Sequence, residues 1–400
     1  MSTYGFLRRF TRTESFGGAV IVLSVVAALV WSNMFHGYES FWLTNIHLGF
    51  GNGELYVGLD HLIGEGAMSA FFLLIGLEVR RELTTGHLRT WSARRAPLFA
   101  AIAGTLVPAA IYLTIAQPSD SAGWAVPTAT DIALAIGFFA LVSRWLHPNA
   151  RILLLSIAVM DDVIGIGILA FIASGSINPV FLILALLVTG FFFLLGRRYE
   201  LPVWVLVFCW LALIGLLAKA GIHSTLAGVL VAVVTSPSKT ANPAKASVSE
   251  RLVLGLNPWV SFVILPLFVI SNAGVLLCDT NSTTTAVVLA LFIGKPLAVI
   301  VTILAGTKLG VFTIAPGIMP FDVLILGLLG GAGLTVSALI AEASLPDPGP
   351  ATLGALIGSG LSLLLAVALT LTRSFLRNGV PHWIRHATPV ALAGHHATGE

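Results

Sequence analysis

Apolar stretches of about 20 residues recur along the whole chain, separated mostly by short polar breaks, and each is long enough to cross a bilayer core as a helix. A helix satisfies its backbone hydrogen bonds within its own segment, as lipid requires, so these runs predict helices. Water-soluble packing does not fit the charge content: 10% of the 400 residues are charged and 57% are hydrophobic, whereas soluble domains carry roughly 25% charged residues. About twelve crossings fit at one bilayer thickness each, near residues 15–34, 59–82, 96–116, 122–143, 151–174, 178–196, 203–219, 221–235, 256–277, 286–306, 322–345 and 352–372. The pattern predicts an all-α polytopic membrane protein, with residues 1–378 forming one membrane domain and 379–400 a tail.

The first stretch follows Arg8, Arg9 and Arg12, as in a signal peptide. Its apolar run is long and lacks a convincing cleavage site, so it reads as the first crossing. With a cytoplasmic N-terminus, every Lys and Arg except Lys219 and Lys295 falls in a cytoplasmic segment, which is the positive-inside signature. That one-sidedness supports an even number of crossings and puts both termini in the cytoplasm. The net charge of +3 is therefore read by position, not as a surface for an acidic or nucleic-acid partner. Cys209 and Cys278 have no metal-ligand spacing, so neither zinc nor redox chemistry is indicated, and no cofactor is expected.

Between the first two crossings, Leu48 to Val57 contains Asn52-Gly53, which suits the positive backbone angles of a tight turn. It predicts a small outside β-hairpin, whose exposed edge would favour pairing between protomers. Residues 236–250, rich in Ser, Pro, Lys and Ala, read as a flexible cytoplasmic loop. The tail from Gly379 carries His382, His386, His395 and His396 without ligand spacing, and reads as disordered rather than as a metal site.

Two crossings are interrupted. In the fourth, Pro127-Thr128-Ala129-Thr130 precedes Asp131, and in the eleventh, Gly330-Gly331-Ala332-Gly333-Leu334-Thr335 is glycine-rich. Both invite unwinding, which at this depth is tolerable only where protein covers the backbone or a wet cavity lines it. These weak points occupy the middle of crossings three to five and ten to twelve, the layout of an inverted-repeat transporter.

Asp161 and Asp162 lie mid-way along the fifth crossing, near the bilayer centre. Intramembrane carboxylates usually face a cavity or pair with one another, and they mark ion or proton pathways. Consecutive helix residues point about 100° apart, so one of the two can face an ion while the other meets a neighbouring helix. A helix cap in a re-entrant loop is the bland alternative, and the apolar sequence from Leu153 to Ile172 counts against it. Asp131, beside the first break, reads as a counter-charge for half-helix N-termini and as part of a cation site, with Thr130 a nearby oxygen ligand. Lys295, in Gly294-Lys295-Pro296 of the tenth crossing, either balances half-helix C-terminal ends or pairs with a carboxylate. Hard oxygen ligands suit small alkali cations. Burial opposes carboxylate ionisation and a nearby ammonium favours it, so such a cluster is suited to exchanging protons for a cation.

These residues resemble the NhaA family of sodium/proton antiporters. The stretches that carry the resemblance are Phe71 to Leu83, Ala129-Thr130-Asp131-Ile132-Ala133, Asp161-Asp162, His223-Ser224-Thr225-Leu226-Ala227-Gly228, Gly294-Lys295-Pro296 and Gly333-Leu334-Thr335-Val336-Ser337. The resemblance implies a twelve-helix homodimer in the inner membrane of a prokaryote, exchanging one Na⁺ or Li⁺ for two H⁺ electrogenically in sodium and pH homeostasis. It further implies that Asp162, Asp131 and Thr130 bind the cation, while Asp161 bridges to Lys295 when protons are carried. Glu78, Arg81, Glu82 and His223 match positions linked to pH-dependent activation. Their plain readings are a solvated helix end for the first three and an interhelical hydrogen bond for His223.

The chain departs from the family where Leu-Glu-His-x-Leu-His-Pro-Trp is common: Leu252 to Trp259 here holds Val253, Leu254 and Asn257 at the acidic and histidine positions. That bears on the pH response, not on transport. Glu65 replaces a usual aspartate, and Glu342 is an additional carboxylate without an assigned role. Two rival readings fit the residues less well. An intramembrane aspartate-dependent enzyme lacks a Gly-x-Gly-Asp motif or Asp-rich repeats, so no enzyme is expected; a sodium-coupled organic-anion symporter sits poorly with Lys295 and the paired aspartates.

Overall fold

A computed structural model describes residues 3–50, 53–59, 62–172, 177–235, 247–278 and 280–378. The α-helices longer than five residues are, in chain order, α1 (Thr3–Met34), α2 (Leu62–Thr84), α3 (Trp91–Ile115), α4 (Ile132–Val142), α5 (Pro148–Ile172), α6 (Pro179–Arg198), α7 (Val203–Ala220), α8 (Leu226–Val234), α9 (Val248–Asn272), α10 (Ser282–Lys308), α11 (Pro320–Gly330), α12 (Thr335–Ser344) and α13 (Gly349–Asn378). Among the described residues, nine helices are long and apolar enough to cross a membrane: all of these except α4, α8, α11 and α12.

Two bent pairs bring the number to eleven. The 3₁₀ helix Pro118–Thr128 meets the stretch Ile132–Trp145, which begins with α4, at 50°, and α11 meets α12 at 43°. The first bend follows Pro127, which has no N–H to give and crowds the preceding turn; the second falls where residues 331–334 leave the helix. The eighth expected crossing, 221–235, is where the count differs. Gly221 turns left-handed at φ 75°, and the helix that follows, α8, is only 9 residues long.

Prolines also explain two local widenings. Val260–Ile264 in α9 and Ala290–Gly294 in α10 are π-helical, just ahead of Pro266 and Pro296. Each ring presses on the carbonyl four residues back, at Phe262 or Phe292, and a wider turn relieves that contact. Lys295 emerges directly from the second widening.

Close packing follows small residues, as expected where lipid supplies no hydrophobic drive between helices. α8 lies along α2, and a Cβ added at Gly228 would fall 2.0 Å from Ser69 O. α1 lies along α4, where a Cβ at Gly18 would stand 2.8 Å from Ala133 O. α6 and α7 instead expose Leu187, Phe191, Leu194, Trp204 and Phe208, the surface a bilayer covers.

Strands β1 (Asn45–Phe50) and β2 (Gly53–Gly58) pair antiparallel, Asn45 opposite Gly58 and Phe50 opposite Gly53. Residues 51–52 of their turn, 236–246 of the expected loop and the whole tail 379–400 lie outside the described residues. The loop's remaining end is ordered by a capping box, in which Ser247 and Glu250 exchange hydrogen bonds and start α9.

Candidate cation and proton site

The two breaks lie against each other. Asp131 caps α4, its Oδ1 accepting from Leu134 N at 3.2 Å. Its Oδ2 reaches the other broken helix, accepting from Thr335 Oγ1 at 2.8 Å and Thr335 N at 3.3 Å where α12 starts. One carboxylate thus caps two half-helices, whose N-terminal ends favour negative charge. Around it, Asp131 N donates to Ala332 O at 2.6 Å and Ser337 Oγ to Val126 O at 2.6 Å. Gly333 N donates to Ser359 Oγ of α13 at 2.9 Å.

Lys295 serves the opposite polarity. Its side chain is fully buried, and Nζ donates at 2.5 Å to the carbonyl of Thr128, the last residue of the 3₁₀ half-helix. The same nitrogen is 3.0 Å from Asp161 Oδ2. The two duties left open by the sequence, half-helix end and carboxylate partner, are therefore held at once. Thr130 Oγ1 donates to Asp161 Oδ2 as well, with Gly330 O 3.2 Å from that hydroxyl.

Asp162, one residue further and about 100° round α5, is buried in a different setting. It lines a cavity of about 60 Å³ with Glu78, Thr130, Asp131, Asn257 and Ser261, room for about two waters at roughly 30 Å³ each. A second cavity of about 10 Å³ touches Asp161 and Asp162 from the side of Gly165 and Ile166. Among the described residues, Asp161 Oδ1 and Asp162 Oδ2 are buried oxygens without a hydrogen-bond partner. A buried acceptor in that condition costs about 1–3 kcal/mol, more when charged. Asp161 has Lys295 to offset that cost and Asp131 has two helix ends. Asp162, whose Oδ2 has no hydrogen-bond partner, lines the main cavity.

Glu78 lines the main cavity, whereas Arg81 lines a separate one of about 70 Å³ with Arg80, Ser247 and Glu250. Glu82 accepts from His87 N at 2.9 Å. His223 Nδ1 is 2.9 Å from Thr225 Oγ1, beside Ser224, whose hydroxyl donates to Glu65 Oε2 at 2.6 Å. Glu342 lies against Gly64, its Oε1 3.4 Å from where a Cβ on that glycine would be. Four polar participants had no role assigned from the sequence: Thr335, Ser337, Ser359 and the Thr128 carbonyl. Thr335 had a usable signal, a hydroxyl two residues past a glycine run.

The sequence profile of the family Na⁺/H⁺ antiporter 1 matches residues 8–370. The chain belongs to that family. It is similar to the Na(+)/H(+) antiporter NhaA of Acidovorax sp. (strain JS42), 36% identical over 382 residues that cover 90% of this chain and 91% of the relative. The NhaA of Vibrio cholerae serotype O1 (strain M66-2) is 34% identical over 378 residues, covering 91% and 96%. Na(+)/H(+) antiporter NhaA 2 of Pseudomonas putida (strain KT2440) is 32% identical over 428 residues, covering 92% of each. The match to Na⁺/H⁺ antiporter 1 takes in both crossing breaks and the groups around them, from Glu78 to Ser359.

Proposed function

We propose that the chain is a Na⁺/H⁺ antiporter of the inner membrane in which one Na⁺ or Li⁺ competes with about two protons, an electrogenic exchange. The observation that carries this reading is the unequal environment of the paired carboxylates. Asp162 reaches a cavity wide enough for a partly hydrated ion, with Thr130 and Asp131 on the same wall. Asp161 is held by Lys295 and Thr130. Protonation releases the cation from Asp162, and a second proton is carried when the Asp161–Lys295 pair opens. Glu78 stands in the same cavity as the first carboxylate an ion meets from the arginine-rich face. Arg81, Glu82 and His223 are the remaining candidates for tuning the response to pH.

The arrangement of spans supports twelve crossings with both termini cytoplasmic. α8 is short, yet Ser224 just before it bonds Glu65 at one end of α2, while Arg80 near the other end donates to Ala232 O and Val233 O at 2.8 and 3.0 Å. Ties near both ends of a crossing helix support reading this segment as a crossing. The bent pairs occupy the middle of two three-span groups, α3 to α5 and α10 to α13, which fits an inverted repeat. Among the described residues the β1–β2 ribbon has no third strand, which suits a homodimer paired outside the membrane.

The test is transport in proteoliposomes. Added Na⁺ should dissipate an imposed ΔpH, and a clamped membrane potential should shift the rate, since each net charge moved is worth about 2.3 kcal/mol per 100 mV. Sodium-independent dissipation would overturn the antiport, and indifference to potential would overturn the unequal stoichiometry.

A further inference from the structure

The cavity that reaches Asp162 has a wall that the exchange chemistry does not yet use. α9 contributes Asn257, Val260, Ser261 and Leu265 to it, a spacing of three, one and four that keeps all of them on one helical face. Two of the four are polar, and both are buried. Ser261 Oγ donates to Asn257 Oδ1 at 3.0 Å. That bond uses the serine's one proton and leaves the lone pairs of its oxygen, and the second lone pair of the amide oxygen, as acceptors.

Depth orders these groups. Counted along each helix from its arginine-rich or linker end at 1.5 Å per residue, Glu78 is about 9 Å in, Asn257 about 14 Å, Ser261 about 20 Å and Asp162 about 21 Å. On this count Asn257 falls between Glu78 and Asp162, and Ser261 lies level with Asp162. A cation leaving water for Asp162 must give up hydration before the carboxylate can replace it, and a hard ion accepts amide and hydroxyl oxygens in its place. A neutral pair does this without holding the ion as a third carboxylate would.

We propose that Asn257 and Ser261 form a neutral oxygen station that takes over part of the hydration shell of the entering Na⁺ or Li⁺ and helps to set apparent affinity and the choice between the two ions. The proposal rests on the antiport reading, with Asp162 as the terminal ligand. Because the smaller ion binds its water more tightly, loss of the station weighs more on Li⁺ than on Na⁺.

The experiment measures apparent KM and maximal rate for Na⁺ and for Li⁺ in proteoliposomes containing Asn257→Leu, Ser261→Ala and Asn257→Asp. The leucine and alanine variants should raise the apparent KM by about five- to tenfold, up to ~1.4 kcal/mol, more for Li⁺ than for Na⁺, with a smaller change in maximal rate. The aspartate variant, which keeps an oxygen at the position and adds charge, should lower the KM. A role in packing alone predicts reduced maximal rate or yield with unchanged KM and unchanged ion ratio, and that result overturns the proposal. Should Asn257→Leu not fold, Ser261→Ala decides by the same criteria. Asp162→Asn run in parallel separates the two levels: surviving Na⁺-driven exchange there removes the antiport site itself, whereas its loss beside unaltered KM values at positions 257 and 261 removes only the station.

Discussion

Lys295 Nζ lies 3.0 Å from Asp161 Oδ2 with neither side chain open to solvent. Removing one member of a buried pair leaves the other charge uncompensated, which costs about 3–5 kcal/mol. Lys295→Ala should therefore lower stability in detergent by an amount in that range. It should also weaken or alter coupling more than it abolishes exchange, because Asp162 and its cavity remain. Thermal unfolding together with Na⁺-driven exchange across a pH series checks both parts. A variant with unchanged proton dependence would remove the role proposed for Lys295.

The two neighbouring aspartates should respond in opposite senses. Asp161→Asn strips Lys295 of its partner and should destabilise. Asp162→Asn replaces a carboxylate that has a buried oxygen without a hydrogen-bond partner, and a neutral amide at mid-membrane is less costly than a charge. That variant should fold with equal or greater stability yet lose Na⁺-driven exchange. Wild-type exchange in Asp162→Asn would falsify its assignment as the ion's ligand.

Thr335 gives Asp131 both a hydroxyl and an N–H. Thr335→Val keeps the shape and the N–H but deletes the hydroxyl, so Asp131 loses one charge-assisted bond, worth about 1.5–3 kcal/mol. A lower unfolding midpoint and slower exchange are expected, with Thr335→Ser restoring both. Equal stability of the valine and wild-type proteins would show that the backbone N–H alone suffices as the link to Asp131.

Much of this geometry was legible in the sequence, and the reasons differ by element. Pro127 and the glycine run at 330–333 mark their breaks because each removes something a helix needs, an N–H in one case and backbone restraint in the other. Hydropathy found the long crossings, but at 221–235 it could not show the shape the chain takes. A window sees apolar content, which is high there, but not that Gly221 reverses the chain and leaves a helix of 9 residues. Asp131, Asp161, Asp162 and Lys295 stood out because charge is rare at that depth. Which aspartate meets the lysine was not readable from spacing, since it depends on the rotation of α5 against α10, a tertiary property. Thr335, Ser337 and Ser359 were hidden for a related reason: a hydroxyl is common in such helices and acquires its meaning only from the carbonyl or carboxylate opposite.

The closeness of the breaks yields a sharp contrast between two glycines. A Cβ on Gly333 would stand 2.5 Å from Ala129 O and 3.1 Å from Ser337 Oγ, while one on Gly330 would meet nothing within 4 Å. Backbone cannot yield as a flexible side chain does, so Gly333→Ala must push residues 331–334 away from residues 129–131. That displacement strains the bonds from Asp131 N to Ala332 O and from Thr335 to Asp131, which hold the two half-helix starts to a common carboxylate. Gly330→Ala adds helix propensity at the end of α11 without steric cost. Gly333→Ala should thus lose most exchange activity and unfold at lower temperature, and Gly330→Ala should retain both. Measured side by side in the same liposomes, equal activity of the two variants would mean that contact between the breaks is not needed for transport.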